Sequence, residues 1–508
     1  MTPSPEFTAF DAAVLAAYLL LMISIGAWAR YRSRHRDAYI VAGRRLGPVM
    51  YTSTMSAVIL GGAATVGGVG LGYSLGAAGV WMITAIAAGV AMLSLLFAVV
   101  IRRSRVYTLP ELVERRYGHL TARMSAWVMV AYTFLITTTS TLAYGSVLSV
   151  VFGIGRLQAI GIGAAVVVIY SLLGGMWSIT LTDIVQFTVM TLAFFVLLGP
   201  ASLQGGSVEA LNRLGGEFLD PGSVGFASIF GTFVIYTLGL LLGQDIWQRV
   251  ATARTPGIAR WGGFASAIYV TLFGIVTTFI GMAAAVKWPG IENRDAVFAI
   301  AVGELLPQGL AGLALSGAVA AMMSTTSGGL IATATVLRED ILPTLSPRYA
   351  VPGGGRAPID ATMRVLVAVL GVLAAAPALV LDDVVTALTL TYNVLVCGML
   401  FPVLGGIIWR RPSRVAAISS MFAGIIVLVV TTVIYGDILA YEPLYWSLGA
   451  SGLVFILVGA LGPESTAGPL MMTEEEVAAL EAAGASGADE ADEATAAEAA
   501  AAGGASRA

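Results

Sequence analysis

Residues 58–72 read Val-Ile-Leu-Gly-Gly-Ala-Ala-Thr-Val-Gly-Gly-Val-Gly-Leu-Gly, with six glycines from Gly61 onward and no charge. Glycine inside a helix costs about 1 kcal/mol against alanine. The stretch is therefore either a very tight helix contact of the kind small residues make in membranes, or an interrupted helix. An interrupted helix leaves carbonyls free, and free carbonyls suit a bare cation.

The rest of the chain places this stretch in a bilayer. Of 508 residues, 57% are apolar and 11% charged, with mean hydropathy +0.87. A soluble chain runs about 25% charged, so several water-facing domains are excluded. A bilayer needs about 20 apolar residues per helix. Thirteen such runs are expected, at 10–29, 48–72, 75–101, 124–152, 157–173, 177–200, 225–246, 261–286, 308–336, 365–381, 384–409, 415–436 and 444–462. The first is preceded by no basic stretch and followed by no small-residue cleavage site, so it reads as a retained helix. The fold class is an all-α polytopic membrane protein.

Arginine placement orients the chain. With the N-terminus outside, 23 of the 27 Lys and Arg fall in cytoplasmic segments, and only Arg156, Arg213, Lys287 and Arg294 lie opposite. This predicts a multi-pass plasma (inner) membrane protein with its N-terminus extracytoplasmic and its C-terminus cytoplasmic. Residues 1–462 form the membrane domain. Residues 463–508 are an acidic tail with nine carboxylates between Glu474 and Glu498. Such a segment buries too little apolar surface to offset its ordering entropy, so it reads as a disordered cytoplasmic tail.

Several chemistries are disfavoured. One cysteine, Cys397, allows no intrachain disulfide, and His35 and His119 both fall in basic loops, so no His/Cys metal set is expected. No nucleophile with a base appears, which argues against an enzyme, and no cofactor or nucleic-acid partner is called for. A channel needs a repeated filter or rings of charge, which a single Asp183 does not provide. A sensor on a transporter scaffold would need a signalling domain, and the tail is too short for a kinase.

Polar groups inside the spans are the remaining candidates. Asp183 lies in the run 177–200; an intramembrane carboxylate costs about 3 kcal/mol and tends to mark an ion path, the alternative being an interfacial position near the Gly175 loop. The run 308–336 carries Ser324-Thr-Thr-Ser327, with Ala321, Ser324 and Thr325 on one helical face. Sodium, a hard cation, wants several oxygen ligands, which that face supplies. Asp245 and Arg249, at i and i+4, read as a structural ion pair at a helix end. Thr65, Thr137, Gln244, Tyr392 and Asn393 are candidate substrate contacts.

At these residues the chain resembles the sodium:solute symporter family, from about Phe10 to Gly462. The resemblance rests on Ala42-Gly-Arg-Arg-Leu-Gly47, Thr108-Leu-Pro-Glu111 with Arg116-Tyr-Gly118, Gly174-Gly-Met-Trp-Ser178 with Thr182-Asp183, Gln248-Arg249, and Ile407-Ile-Trp-Arg-Arg411. It implies two inverted five-helix repeats, 48–200 and 225–409, with extra helices at 10–29 and 415–462. Broken helices 1 and 6, counting the first span as 0, open each repeat. It also implies a sodium site made of the Ala57, Leu60 and Ala321 carbonyls with the Ser324 and Thr325 hydroxyls. A possible second sodium would use Asp183, Ser324 and Ser327, although the next expected hydroxyl position is Gly328.

The function implied is sodium-coupled import of a small organic solute by alternating access. Alternatives are a proton-coupled or sodium-independent transporter of the same fold, or a sensor. Hexoses are disfavoured by Ala63 and Ala64, and proline by Ile59. Choline-like, monocarboxylate and amino-acid solutes stay open.

Overall fold

The computed structural model describes residues 7–33, 35–203, 215–349, 361–381, 383–409, 411–437 and 440–462. The expected acidic tail lies outside the described residues. The described chain is helical, with an isolated β-bridge between Leu46 and Ala253.

Eleven helices among the described residues are long and apolar enough to cross a membrane. They are α1 (Ala9–Ala29), α3 (Ala63–Ser104), α4 (His119–Phe152), α5 (Arg156–Leu203), α6 (Gly225–Leu242), α8 (Pro256–Lys287), α9 (Leu310–Leu345), α10 (Ala361–Ala378), α11 (Val384–Ile408), α12 (Arg414–Tyr435) and α13 (Glu442–Leu461). Two shorter helices complete the numbering, α2 (Pro48–Ile59) and α7 (Gln244–Thr252).

Eleven helices against thirteen expected runs is a difference of two, and α3 and α5 account for it. They have 42 and 48 residues, about 63 and 72 Å at 1.5 Å per residue, roughly twice the 30 Å hydrocarbon core. Each turns partway at a glycine with positive φ, Gly76 (+62°) in α3 and Gly175 (+51°) in α5. A side chain at Gly175 would also meet the Tyr39 ring and carbonyl at 2.6 Å. The α5 helix thus carries the expected runs 157–173 and 177–200 on either side of its bend, and α3 carries the run 75–101 together with the second half of 48–72, whose first half is α2.

Burial separates the core from the periphery. In the most apolar window of α9, 89% of residues are buried, against 28% in α12. The α9 helix packs between α4 and α5, α1 lies on α5, α8 on α3, and α12 pairs with α13. The carboxylate of Asp11 in α1 accepts the backbone N–H groups of Gly309 (2.7 Å) and Gly312 (2.9 Å) and so satisfies free donors at the start of α9.

Candidate functional site

Two interruptions face one another in the core. The first lies between α2 and α3. Leu60 leaves helical geometry (φ −86°, ψ 55°), and its N–H returns to the Ser56 carbonyl at 3.3 Å. The chain resumes when the Gly61 carbonyl accepts from Ala64 and Thr65, both at 3.1 Å. No hydrogen bond bridges the break to the Ala57 or Leu60 carbonyl among the described residues. Ala57 and Leu60 are fully buried, so these oxygens are available in a dry setting.

The α9 helix presses against that break. Thr325 Oγ1 donates to the Val58 carbonyl at 2.7 Å and lies 3.4 Å from the Ala321 carbonyl. Contact is close enough to demand glycine opposite, since a Cβ on Gly61 would fall 2.7 Å from Thr325 Oγ1 and 3.1 Å from Ser140 Oγ. The structure thus brings Thr325 and the Ala321 carbonyl against Val58, within the stretch that holds Ala57 and Leu60. Ser324 adjoins Thr325, but the Ser324 hydroxyl donates to Asp183 Oδ1 at 2.6 Å.

Asp183 is wholly buried within the protein. It also accepts from the Thr54 hydroxyl and, at 3.1 Å, from Arg249 Nη2. Neither side chain of the Asp183–Arg249 pair is exposed. Ser327 turns away and donates to the Ser324 carbonyl at 3.0 Å. Gly328, where a further hydroxyl is expected, has a steric reason: a Cβ there would lie 2.7 Å from Val58 Cγ2 and 3.3 Å from Arg249 Nη2.

The second interruption is Gly243 (φ −61°, ψ 116°), between α6 and α7. Its carbonyl restarts the helix by accepting from Ile246 (3.1 Å) and Trp247 (2.9 Å). The expected Asp245–Arg249 ion pair is not formed. All nine residues of α7 are buried, so this is no solvated helix end, and each charge finds its own partner across the core. Arg249 takes Asp183, and Asp245 Oδ1 accepts the Tyr132 hydroxyl at 2.9 Å.

Between the two breaks lies a cavity of about 20 Å³, enough for a water-sized occupant and too small for an organic solute. Its lining includes Gly61, Thr139, Ser140, Asp245, Thr325 and Tyr392. Of the five candidate substrate residues, Tyr392 lines this cavity, and its ring stands 6.0 Å from that of Tyr132. The other four lie outside its lining. Thr65 bonds the Gly61 carbonyl (3.0 Å) and Thr137 the Thr133 carbonyl (2.7 Å). Gln244 braces the loop before the short helix Leu109–Tyr117, accepting from Leu109 N–H (2.7 Å) and donating to the Tyr107 carbonyl (3.0 Å). Asn393 is buried, with no partner to its Oδ1 among the described residues. Thr139, Ser140 and Asp245 replace them at the cavity. The signal for the first two is helical phase: Ile136, Thr139 and Ser140 share the α4 face that meets the break.

Contacts between segments distant in sequence lie at both ends of these helices. On the face with most arginines, Leu46 N–H donates to the Thr252 carbonyl (3.1 Å) and Arg254 N–H to the Leu46 carbonyl (2.9 Å), joining the entrance of α2 to the exit of α7. Gln248 Nε2 donates to the Ile40 carbonyl (2.8 Å), and Arg36 pairs with Glu339. On the opposite face Arg294 grips Asp383, Nε at 3.0 Å and Nη2 at 2.7 Å.

Comparison with known proteins matches this architecture. The sodium:solute symporter family model matches residues 39–424. The osmoregulated proline transporter OpuE of Bacillus subtilis (strain 168) is 25% identical over 346 residues, 64% of this chain and 70% of that one. The sodium/pantothenate symporter of Escherichia coli (strain K12) is 22% identical over 484 residues, 91% of this chain and 98% of that one. The high-affinity choline transporter 1 of Caenorhabditis elegans is 24% identical, over 73% of this chain and 69% of that one. The solved structure of a Na+-coupled sialic acid symporter in a substrate-bound outward-open state superposes with a TM-score of 0.80 at 18% identity, covering 91% of this chain and 99% of that one, so the fold is shared. With the family model spanning most of the membrane domain, and with the paired helix breaks in a fold of this kind, the chain belongs to the sodium:solute symporter family.

Proposed function

We propose that this protein is a sodium-coupled secondary active symporter that imports a small organic solute by alternating access. The observation that carries the reading is the contact of Thr325 Oγ1 with the carbonyl row at the α2–α3 break. A dehydrated sodium ion must regain oxygen ligands. The ligands assigned to it are the Ala57, Leu60 and Ala321 carbonyls with the Ser324 and Thr325 hydroxyls, and Ser324 would give up its bond to Asp183 to take part. The membrane potential contributes about 2.3 kcal/mol per charge at 100 mV, and a tenfold sodium gradient about 1.4. Together these hold a roughly 500-fold gradient of a neutral solute.

One sodium per cycle is the stoichiometry the arrangement favours. The carboxylate of Asp183, with Ser327 the possible second sodium site, already holds the Arg249 guanidinium. A second ion would have to displace it, and Gly328 contributes no hydroxyl. The two inverted repeats are assigned to 48–200 and 225–409. The N-terminus is external and the tail cytoplasmic, in the plasma membrane of the cell. The solute belongs between the two breaks, against Tyr392, Ser140 and Thr139, once the cavity opens. Choline-like, monocarboxylate and amino-acid solutes are the candidates, a hexose being disfavoured by Ala63 and Ala64.

The test is uptake by purified protein in proteoliposomes, screened over such solutes with sodium or potassium outside. Uptake that requires sodium and collapses when the gradient is dissipated supports the proposal. Equal uptake in potassium, with dependence on a proton gradient instead, refutes sodium coupling. Reporter fusions at the two termini test the orientation, and signals from the same side would overturn it.

A further inference from the structure

Away from the central site an open cleft of about 500 Å³ is lined by Arg30, Tyr31, Leu172, Leu173 and Arg364. Three elements meet there: the end of α1, the bend of α5 just before Gly174 and Gly175, and the first turn of α10. Arg30 and Arg364 are exposed, and no described carboxylate pairs with either. Arg30 Nη2 donates to the Tyr31 hydroxyl at 3.2 Å, and its guanidinium sits 4.9 Å from that ring's centroid. The function described above uses none of these residues.

The surroundings give the cleft a depth in the bilayer. Trp28 and Tyr31 are 57% and 59% exposed, as aromatic side chains are at the headgroup level. The floor is leucine. Val365, Val369 and Val372 are all exposed and stand at i, i+4 and i+7, so they form one apolar track along α10 leading away from the arginines. A pair of guanidinium groups above such a track matches a phosphodiester headgroup with an acyl chain beneath it. Guanidinium forks bind phosphate oxygens through paired N–H groups, and basic pockets between membrane helices are where acidic headgroups dock.

We propose that this cleft binds one anionic glycerophospholipid, with its phosphate between Arg30 and Arg364 and one acyl chain along the valine track. It lies in the cytoplasmic leaflet if the orientation proposed above holds, but the binding itself does not depend on that orientation. Each arginine is worth about 1 kcal/mol at an anionic lipid surface, so losing both weakens binding roughly 30-fold.

The experiment titrates purified wild-type protein and the Arg30→Gln/Arg364→Gln double variant, in one neutral detergent, with dioleoyl phosphatidylglycerol, dioleoyl phosphatidylcholine or inorganic phosphate. Bound lipid is counted by native mass spectrometry and melting is followed by tryptophan fluorescence. The expected result is one phosphatidylglycerol held by wild type, roughly 30-fold weaker binding to the double variant, no preference of either protein for phosphatidylcholine, and no effect of phosphate. An Arg123→Gln/Arg260→Gln control, exposed arginines elsewhere, keeps the wild-type affinity. The proposal fails if the double variant binds phosphatidylglycerol as tightly as wild type, if phosphatidylcholine binds equally, if the control loses as much, or if free phosphate alone reproduces the stabilisation. Should the glutamine variant not fold, Arg30→Lys/Arg364→Lys keeps the charge without the fork. Weaker phosphatidylglycerol binding with retained preference over phosphatidylcholine then supports the proposal, and unchanged affinity overturns it.

Discussion

Asp183 of α5 and Arg249 of α7 meet at 3.1 Å in the centre of the protein, with neither side chain exposed. They are 66 positions apart in the chain and converge on the middle of α2, where Thr54, with Ser324 of α9, completes the carboxylate's hydrogen bonds. Removing one member of such a pair strands the other, at about 3–5 kcal/mol. Asp183→Asn and Arg249→Gln should each destabilise by that order, while the double variant should lose much less than the sum. Thermal unfolding in detergent completes the cycle. Strictly additive losses would mean that the two side chains do not depend on one another.

Thr325 separates ion binding from packing. Thr325→Val keeps the shape and deletes both the proposed sodium ligand and the bond to Val58, whereas Thr325→Ser keeps the oxygen. A lost buried polar partner costs about 1–3 kcal/mol, which corresponds to roughly 5- to 150-fold weaker apparent sodium affinity. Because coupling is reciprocal, solute binding should weaken at low sodium and recover at high sodium. Solute affinity measured across sodium concentrations checks this; superimposable curves for Thr325→Val and wild type would remove the site.

Ser327 tests the single-ion stoichiometry. Its hydroxyl serves the Ser324 carbonyl, so Ser327→Ala should leave sodium dependence unchanged and the wild-type Hill coefficient for sodium should be close to one. A coefficient near two, reduced by Ser327→Ala, would show that a second ion displaces Arg249 during the cycle.

Gly72 and Gly449 make a paired test of packing. A Cβ on Gly72 would lie 2.2 Å from the Thr278 carbonyl oxygen and 2.7 Å from its Cα, both backbone atoms that cannot step aside. Gly72→Ala should therefore push α3 off α8, at about 1–3 kcal/mol or more. Gly449 has nothing within 4 Å and lies inside α13, so Gly449→Ala should be neutral or gain up to about 1 kcal/mol. Melting temperatures of the two variants decide it.

The Arg294–Asp383 ion pair and its neighbour Asp295 give a pH dependence. Asp295, in the turn Arg294–Ala296, is pushed up to about 6, first by burial and then by the neighbouring Asp383 charge. Burial also opposes the Asp383 charge, but hydrogen bonds from Thr386 and Arg294 outweigh it and hold that carboxyl below its ordinary value. Asp295 in the unfolded chain titrates near 3.9. Between about 4 and about 6 the folded state keeps a proton that the unfolded state has lost. The stability it contributes is therefore full below pH 4 and lost as pH rises through 6. Asp295→Asn should flatten that part of the profile, measured as melting temperature against pH for both proteins.

Much of this was legible in the sequence, and what was not had a common cause. Apolar runs, the glycine-rich break and the α9 hydroxyls are local signals, and each is read from neighbours along the chain. The separate apolar runs on either side of Gly76 and Gly175 were read as separate crossings, and the backbone does leave helical geometry at both glycines; what the runs did not show is how short those connections are. The partner of Arg249 could not be read either. Spacing favoured Asp245, four residues away, while the observed partner is 66 positions distant. Asp11 carried no intramembrane signal, yet it satisfies the start of α9 from almost 300 residues away. Likewise Thr139 and Ser140 rather than Thr137 reach the cavity, a choice of helical phase fixed only when α4 meets the Gly61–Gly62 break.

The two bonds that tie Leu46 to Thr252 and Arg254 are made by peptide groups alone. Alanine scanning would leave both bonds in place, and what it registered at the buried Leu46 and Thr252 would be lost packing rather than a loosened join. Only proline at 46 or 254 deletes a donor. What holds the chain here is the path of its backbone, which a change of side chain alone does not erase.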